Sequence, residues 1–295
     1  MMSKNTLLYI GGPTASGKTK IGIKLAKHFK TEIISCDSRQ FYKEMSIGTS
    51  IPSIEERGGI IHHLIQHKSI FETYNAWDFA KDANNLLKKL FKNKEVVIMV
   101  GGSGLYAKSL INGLDYFPEV PLKIKSEIER IYQQGGVESL KEMLSVADPI
   151  YFKKVDQNNH RRLIRALEVY KTTMKPYSSF LNKKTRKRSF KTKTVIIDIP
   201  KEILHKKIKS RIDLMLDMGL EKEAAKLFMH KKTNAMQTIG YKEWFDFFEK
   251  KISREQVKNE IIKNTNRYAK KQLTWFRKNF KENFVAENEI DSISM

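Results

Sequence analysis

The stretch Leu7–Thr19, LLYIGGPTASGKT, decides the fold. Leu7–Ile10 is apolar, Gly11-Gly12 opens a loop, and Lys18–Phe29 carries apolar residues at helical spacing through Ile21, Leu25 and Ala26. The order is strand, glycine loop, helix. Inside it Gly12, Pro13, Thr14, Ala15, Ser16, Gly17, Lys18 and Thr19 match the pattern GxxxxGK[ST]. Glycines let successive backbone N–H groups turn inward onto phosphate oxygens, and the helix N-terminus adds its partial positive charge. In that pattern Lys18 bridges phosphate oxygens and Thr19 offers a hydroxyl to Mg²⁺. The loop specifies a diphosphate or triphosphate without saying which.

Outward from that loop the same alternation continues. Glu32–Cys36 reads as a second strand ending at Asp37-Ser38. Ala76–Phe91 reads as a helix with Phe79, Ala80, Ala83, Leu87 and Leu90 on one face. Val96–Val100, closed by Gly101-Gly102, is a continuous apolar run of the kind that forms a buried parallel strand, and Val195–Ile199 before Pro200 is a fourth strand. Strands alternating with helices predict an α/β fold, a P-loop core with a parallel, doubly wound sheet. Between Phe117 and Arg188 the texture changes: helices are expected over Leu122–Gln133, Val137–Leu144 and Arg161–Tyr170 with no strand between them. The expected organisation is a first part of the core over 1–116, an all-helical insertion over 117–188, core completion and C-terminal helices over 189–282, and a tail over 283–295 without a clear signal.

Charge adds a partner class. The 295 residues carry 55 Lys or Arg against 33 Asp or Glu, a formal net charge of +22. Residues 1–115 hold 16 basic and 10 acidic side chains, a net of +6; the remainder hold 39 and 23, a net of +16. A lysine-rich solubility surface gives the same total, but the asymmetry favours nucleic acid bound by the second half. The segment Lys183–Lys193, with seven basic residues in eleven, is the densest patch. The single cysteine, Cys36, excludes an internal disulfide or a cysteine-based zinc cluster. No apolar run approaches the ~20 residues of a membrane span, and the N-terminus lacks a signal-peptide layout. A cytoplasmic, monomeric protein is expected.

Further motifs are weaker one by one. Asp37 lies at a strand's carboxyl end, where ligands bind in open α/β sheets, although an Asp there is as often a turn or helix cap. Gly101-Gly102-Ser103-Gly104-Leu105-Tyr106 is a second glycine turn at the same edge, either a ligand cradle or a tight β-to-α turn. Arg161-Arg162-Leu163-Ile164-Arg165 opens a helix with three cations, of which Arg161 and Arg165 share a face. Gln237-Thr238-Ile239-Gly240-Tyr241-Lys242 and Lys270-Lys271-Gln272-Leu273-Thr274-Trp275-Phe276-Arg277 interleave cations with aromatics, a mixture suited to phosphate contacts and base stacking or, for the aromatics, to a core.

Taken in order, GPTASGKT (Gly12–Thr19), DSRQFYKEM (Asp37–Met45) with IGT (Ile47–Thr49), HHL (His62–Leu64), GGSGLY (Gly101–Tyr106), RRLIRALEVY (Arg161–Tyr170), IGYKE (Ile239–Glu243) and KKQLTWFR (Lys270–Arg277) resemble the bacterial tRNA dimethylallyltransferase family over about residues 7–280. The resemblance implies transfer of a dimethylallyl group from dimethylallyl diphosphate to the exocyclic amine of the adenosine beside the anticodon, tRNA position 37. It implies that the phosphate loop holds the prenyl diphosphate with Mg²⁺, joined by Arg211. Asp37 would act as base or acceptor for the adenine amine, with Ser38, Arg39 and Gln40 also at the tRNA. Ser103 would donate toward the oxygen that bridges prenyl group and diphosphate. Arg161–Arg165, Gln237–Lys242 and, of the last segment, Lys270, Lys271, Gln272 and Arg277 would contact tRNA, and the helical insertion would clasp the anticodon stem-loop. Two positions depart from the family pattern: Ser103 stands where Thr is usual and keeps the hydroxyl, and Lys125 aligns with an arginine and loses the bidentate fork.

Two rival activities share parts of this pattern. A P-loop kinase or ATPase shares the loop, but the chain has no clear Walker-B carboxylate and carries the later motifs. An adenylate isopentenyltransferase acting on free nucleotides shares the chemistry, but the basic second half favours tRNA. A non-enzymatic RNA-binding module needs neither the loop nor Asp37.

Overall fold

A computed structural model describes residues 5–113, 115, 117–181, 188–280 and 283–286. The chain begins β1 (Thr6–Gly11), α1 (Lys18–His28), β2 (Ile33–Ser35), α2 (Ile54–Arg57), β3 (His62–His63), α3 (Ala76–Leu90), β4 (Val96–Gly101) and α4 (Gly104–Asn112). It continues through α5 (Leu122–Ala147), α6 (Pro149–Phe152) and α7 (His160–Thr173). It ends with β5 (Lys191–Asp198), α8 (Lys201–Asp217), α9 (Leu220–Leu227), α10 (Trp244–Phe248), α11 (Arg254–Asn279) and β6 (Phe284–Ala286). The strands form one parallel sheet in the order β3-β2-β4-β1-β5-β6. This is the doubly wound α/β core that the alternation of strands and helices predicts.

β1 and β4 are buried along their whole length, which is why their sequences are continuous apolar runs. The two faces of the sheet are still distinct, because successive side chains point to opposite sides. Leu7, Tyr9, Ile34, Val97, Met99 and Ile196 enter one core, and Leu8, Ile10, Ile33, Ile98, Val100 and Ile197 enter the other. α1 covers the second face through Ile23, Leu25 and Ala26. It seats closely because Gly22 has no Cβ; one there would stand 2.4 Å from the Val100 side chain. The first face is covered by α3, α4, α8, α9 and α11. α3 starts at a reciprocal cap between Asn75 and Asp78, and α11 at one between Ser253 and Gln256.

The chain divides into two compact units, Met1–Asn112 with Lys187–Met295, and Gly113–Arg186. The described part of the second unit contains helices and no strand. Its own core gathers Ile128, Leu140, Leu144, Val155, Leu163 and Leu167. α5 is two helical pieces joined at Gly136, whose φ of 65° suits glycine, and this break falls between the two helices expected from sequence. The buried Asp148 caps α6 through the Tyr151 N–H and also accepts from the Ser178 N–H and hydroxyl.

The differences from the sequence reading lie at the sheet's margins. β3 and β6 are additional edge strands of two and three residues, and β6 falls in the stretch without a sequence signal. β5 spans Lys191–Asp198 rather than the expected Val195–Ile199; its first four residues alternate exposed and half-buried, so no apolar run announced them. Of the basic segment Lys183–Lys193, residues 183–187 lie outside the described residues. Among the described residues no helix is long and apolar enough to cross a membrane.

Candidate active site

Three turns meet at the carboxyl ends of β1, β2 and β4, the edge where open α/β sheets bind ligands. The first is the phosphate loop. Gly12, Ala15 and Gly17 have φ of 150°, 63° and 84°, so the loop reverses repeatedly ahead of α1, with the Thr14 N–H given to Gln272 and the Ser16 N–H to the Pro13 carbonyl. Ala15 holds a left-handed conformation without being glycine, a local strain of the kind that binding loops carry. The Ser16 hydroxyl is fully buried and has no hydrogen-bond partner among the described residues.

Cations crowd this loop. Lys18 folds back so that its ammonium donates to the Pro13 carbonyl at 2.5 Å. Burial first, and the neighbouring Arg211 second, pull the Lys18 ammonium down to about 7, while Asp37 opposes them. Arg211 reaches in from α8 and donates to the Thr14 hydroxyl at 3.4 Å. Its guanidinium is also lowered by burial, against the pull of Glu56 and Asp37. Two cations held together out of water are unfavourable unless an anion joins them, so the loop is electrostatically prepared for a polyanionic group.

The second and third turns are locked to each other. A Cβ on Gly101 would stand 1.9 Å from the Cys36 carbonyl, so only glycine admits this approach of the β2 and β4 ends. The Cys36 N–H donates to the Val100 carbonyl at 2.7 Å. The Ser38 N–H donates to the Ser103 hydroxyl oxygen at 2.8 Å, and the Arg39 N–H donates to Asp37 Oδ1 at 2.8 Å. Asp37 is therefore both a turn residue and a half-buried carboxylate that faces the Lys18 and Arg211 charges. Tyr268, on α11, is partly exposed, and desolvation of its hydroxyl followed by the nearby Asp37 charge pushes its phenol up to about 12. No sequence motif singled out Tyr268; its only signal is that it stands one helical turn before Gln272.

The remaining residues named from sequence fall in different settings. Arg39 donates to the Asn234 carbonyl and side chain. Gln40 spends its amide on Ser35 and on the Thr49 and Ser50 carbonyls. In the Gln237–Lys242 segment, Gln237 is exposed and Ile239 and Lys242 half-buried, while Thr238, Gly240 and Tyr241 are buried. The Tyr241 ring fills the space that a side chain on Gly48 would need, at 2.3 Å, and its hydroxyl donates to Glu223. Glu223 also accepts the Ser46, Ile47 and Gly48 N–H groups, so it ties the loop after Asp37 to α9. On α11, Lys270, Lys271 and Arg277 are exposed and Gln272 is buried.

In the helical unit, Arg161 and Arg162 are exposed on α7, Ile164 is half-buried and Leu163 is core. Arg165 lies 5.7 Å over the Phe117 ring and pairs with Glu168 at 3.4 Å. Arg161 and Arg165 line a cleft of about 480 Å³ together with Tyr132, stacked 4.9 Å from His160. Lys125 is exposed on α5.

A parallel sheet with a phosphate-loop sequence after its first strand, two half-buried cations on that loop and a carboxylate at the next strand end place the chain in the P-loop class of α/β proteins. The chain belongs to the IPP transferase family, whose model matches residues 40–279. It is 50% identical to the tRNA dimethylallyltransferase of Christiangramia forsetii over 93% of this chain and 91% of that relative. It is 45% identical to the enzyme of the same name from Flavobacterium johnsoniae, over 92% and 90%. Among solved structures it resembles the full-length tRNA isopentenylpyrophosphate transferase of Bacillus halodurans, with a TM-score of 0.71 and 33% identity over 98% of this chain and 94% of that one. It also resembles a eukaryotic dimethylallyltransferase acting on tRNA, with a TM-score of 0.80 and 26% identity over 96% and 73%.

Proposed function

We propose that this protein transfers the dimethylallyl group of dimethylallyl diphosphate to the exocyclic N6 of the adenosine 3′-adjacent to the anticodon, tRNA position 37, and releases diphosphate. The observation that carries the reading is the meeting of Lys18, Arg211 and Asp37 at one sheet edge. The allylic C–O bond breaks as the C–N bond forms, so positive charge develops on the prenyl carbon and negative charge on the departing diphosphate. The loop backbone, Lys18 and Arg211 stabilise the departing charge, and the two cations do so strongly because they are already partly desolvated. The adenine amine is a weak nucleophile, since its lone pair is delocalised into the ring; Asp37 orients it and accepts its proton. Ser103, whose hydroxyl oxygen accepts the Ser38 N–H, would donate toward the bridging oxygen.

A magnesium ion fits this chemistry in a limited way. Among the described residues no cluster of three or more His, Cys, Asp or Glu could hold a metal. Mg²⁺ commonly enters with substrate phosphates and few protein ligands, and the buried, unpartnered Ser16 hydroxyl marks the loop as a polar cradle for such a group. Thr19 would hold the ion, which when bound supplies further charge neutralisation to the diphosphate.

The substrate base must leave the anticodon-loop stack, which costs a few kcal/mol, less in a loop than in a duplex. Cationic contacts to the RNA from Arg161, Arg162, Lys270, Lys271 and Arg277 offset that cost. Work in the cytoplasm as a monomer fits a chain with one buried cysteine. The test is to offer labelled dimethylallyl diphosphate to bulk tRNA and analyse the nucleosides. Labelled N6-dimethylallyl adenosine with stoichiometric diphosphate supports the reading; release of orthophosphate from ATP supports a kinase or ATPase instead.

A further inference from the structure

Gln272 matches a segment expected to touch tRNA, yet its side chain faces the opposite way. It is 7% exposed, and both ends of its amide are used inside the protein. Oε1 accepts the Thr14 N–H of the phosphate loop at 2.9 Å, and Nε2 donates to the Gly102 carbonyl at 2.9 Å. One amide thus joins the loop after β1 to the turn after β4, across sequence separations of 258 and 170 residues.

The surroundings are shaped for this contact. A Cβ on Gly102 would stand 2.4 Å from Gln272 Nε2, and one on Gly104 would stand 2.1 Å from the Trp275 ring. Gly104 is therefore required by the close seating of α11, and a side chain at Gly102 would displace the Gln272 amide. The chemistry is directional as well. Thr14 presents a donor and Gly102 an acceptor, and a neutral primary amide on this stem answers both. The chain of contacts then runs on: Thr14 receives Arg211 through its hydroxyl, and Ser103, next to Gly102, receives the Ser38 N–H beside Asp37.

We propose that Gln272 is a positioning residue of the prenyl-transfer site, fixing the distance between the loop that holds the leaving diphosphate and the Ser103 hydroxyl beside the base Asp37. The proposal rests on the function given above, because only a reaction that uses both turns at once needs their spacing held. Gly102 and Thr14 follow the ends of β4 and β1, beyond the last rungs of the β1–β4 ladder at Gly11 and Gly101. The amide supplies the tie that the sheet no longer gives. A helix reaching the site from the C-terminal part of the chain thereby acts on the diphosphate end of the reaction.

The informative substitution is Gln272→Glu, which keeps an acceptor for the Thr14 N–H and replaces the donor to Gly102 with a second acceptor. Three quantities are measured on the parent and the variant: tRNA Kd without turnover, inorganic diphosphate Kd, and kcat with KM for each substrate. Removal of one buried hydrogen bond and creation of a repulsive pair predicts about a tenfold or larger fall in diphosphate affinity or kcat. The tRNA Kd is expected to stay within about twofold, well below the effect of removing a charge-assisted hydrogen bond. Gly102→Ala, which pushes the amide away from the other side, is expected to give the same split. If tRNA Kd worsens tenfold in Gln272→Glu while diphosphate affinity and kcat hold, Gln272 is an RNA contact and the proposal fails. Should Gln272→Glu not fold, Gly102→Ala alone decides it, and parent-like diphosphate affinity and kcat there overturn it. Inorganic diphosphate binding is measurable even on a protein that modifies no tRNA, so failure of the functional reading and failure of this tie remain distinct.

Discussion

The α/β unit and the helical unit both present cations, and they present them in opposite ways. Lys18 and Arg211 are half-buried on one small loop, and both are lowered from their ordinary values chiefly by desolvation. Arg161 and Arg162 stand exposed on α7, whose other face, Leu163, Ala166 and Leu167, is the core of that unit. A buried cation is unfavourable until an anion meets it and then interacts strongly; an exposed one costs little and contributes weakly, in a way that salt screens. The first arrangement suits chemistry on one diphosphate. The second suits many additive contacts along a polyanion.

That contrast is sharpest at Lys18. Lys18→Ala is expected to abolish transfer, with kcat/KM for dimethylallyl diphosphate falling about 10²–10³-fold or more, the scale of removing one preorganised charge. The same substitution removes a desolvated cation from beside Arg211, so thermal unfolding of the variant should occur at the same temperature or higher. A variant that keeps its activity, or one that loses stability along with it, would break the distinction between the two kinds of cation.

Asp37→Ala should follow, with turnover reduced about 10²-fold or more and tRNA affinity little changed, read by single-turnover kinetics beside filter binding. Near-normal turnover would remove Asp37 from the mechanism. Smaller still is the effect of pH. Lys18 must be protonated to meet the diphosphate, and in the free protein it loses its proton near 7. kcat/KM for the prenyl diphosphate should therefore fall as pH rises through about 7, by up to tenfold per pH unit, while kcat alone should hold to higher pH because the bound anion raises the lysine again. The unfolded chain keeps this proton up to about 10.5, so the contribution of Lys18 to stability grows as pH rises from about 7 toward 10.5. Lys18→Ala should flatten both profiles.

Much of this was legible in the sequence, and for a physical reason. β1, β4 and the apolar half of β5 are buried on both faces, so their composition announces them, and the phosphate loop fixes the edge at which the site must lie. β3 and β6 left no trace because strands of two and three residues at a sheet edge carry no period. At the site, Asp37 and Ser103 could be placed because each ends a legible strand. Cations interleaved with aromatics could not be resolved in the same way. The pattern is the same whether the aromatic lies outward or, as with Tyr241, fills the space beside a glycine from a distant segment. Gln272 illustrates the limit: its partners lie 258 and 170 residues away, and nothing local in KKQLTWFR tells which way the amide faces.

The most direct test of the division between diphosphate chemistry in the α/β unit and RNA affinity from exposed cations compares an anticodon stem-loop with free AMP as acceptor, at two salt concentrations. With about six phosphates neutralised, affinity for the stem-loop should fall roughly 10³-fold between about 50 and 200 mM salt. Joint replacement of the exposed Arg161 and Arg162 by Ala should make that slope shallower by about one unit for each phosphate left without its cation. AMP, too small to use those cations, should be prenylated negligibly beside the stem-loop. AMP prenylated as fast as the stem-loop, with little dependence on salt, would contradict the account and make this an enzyme of free nucleotides.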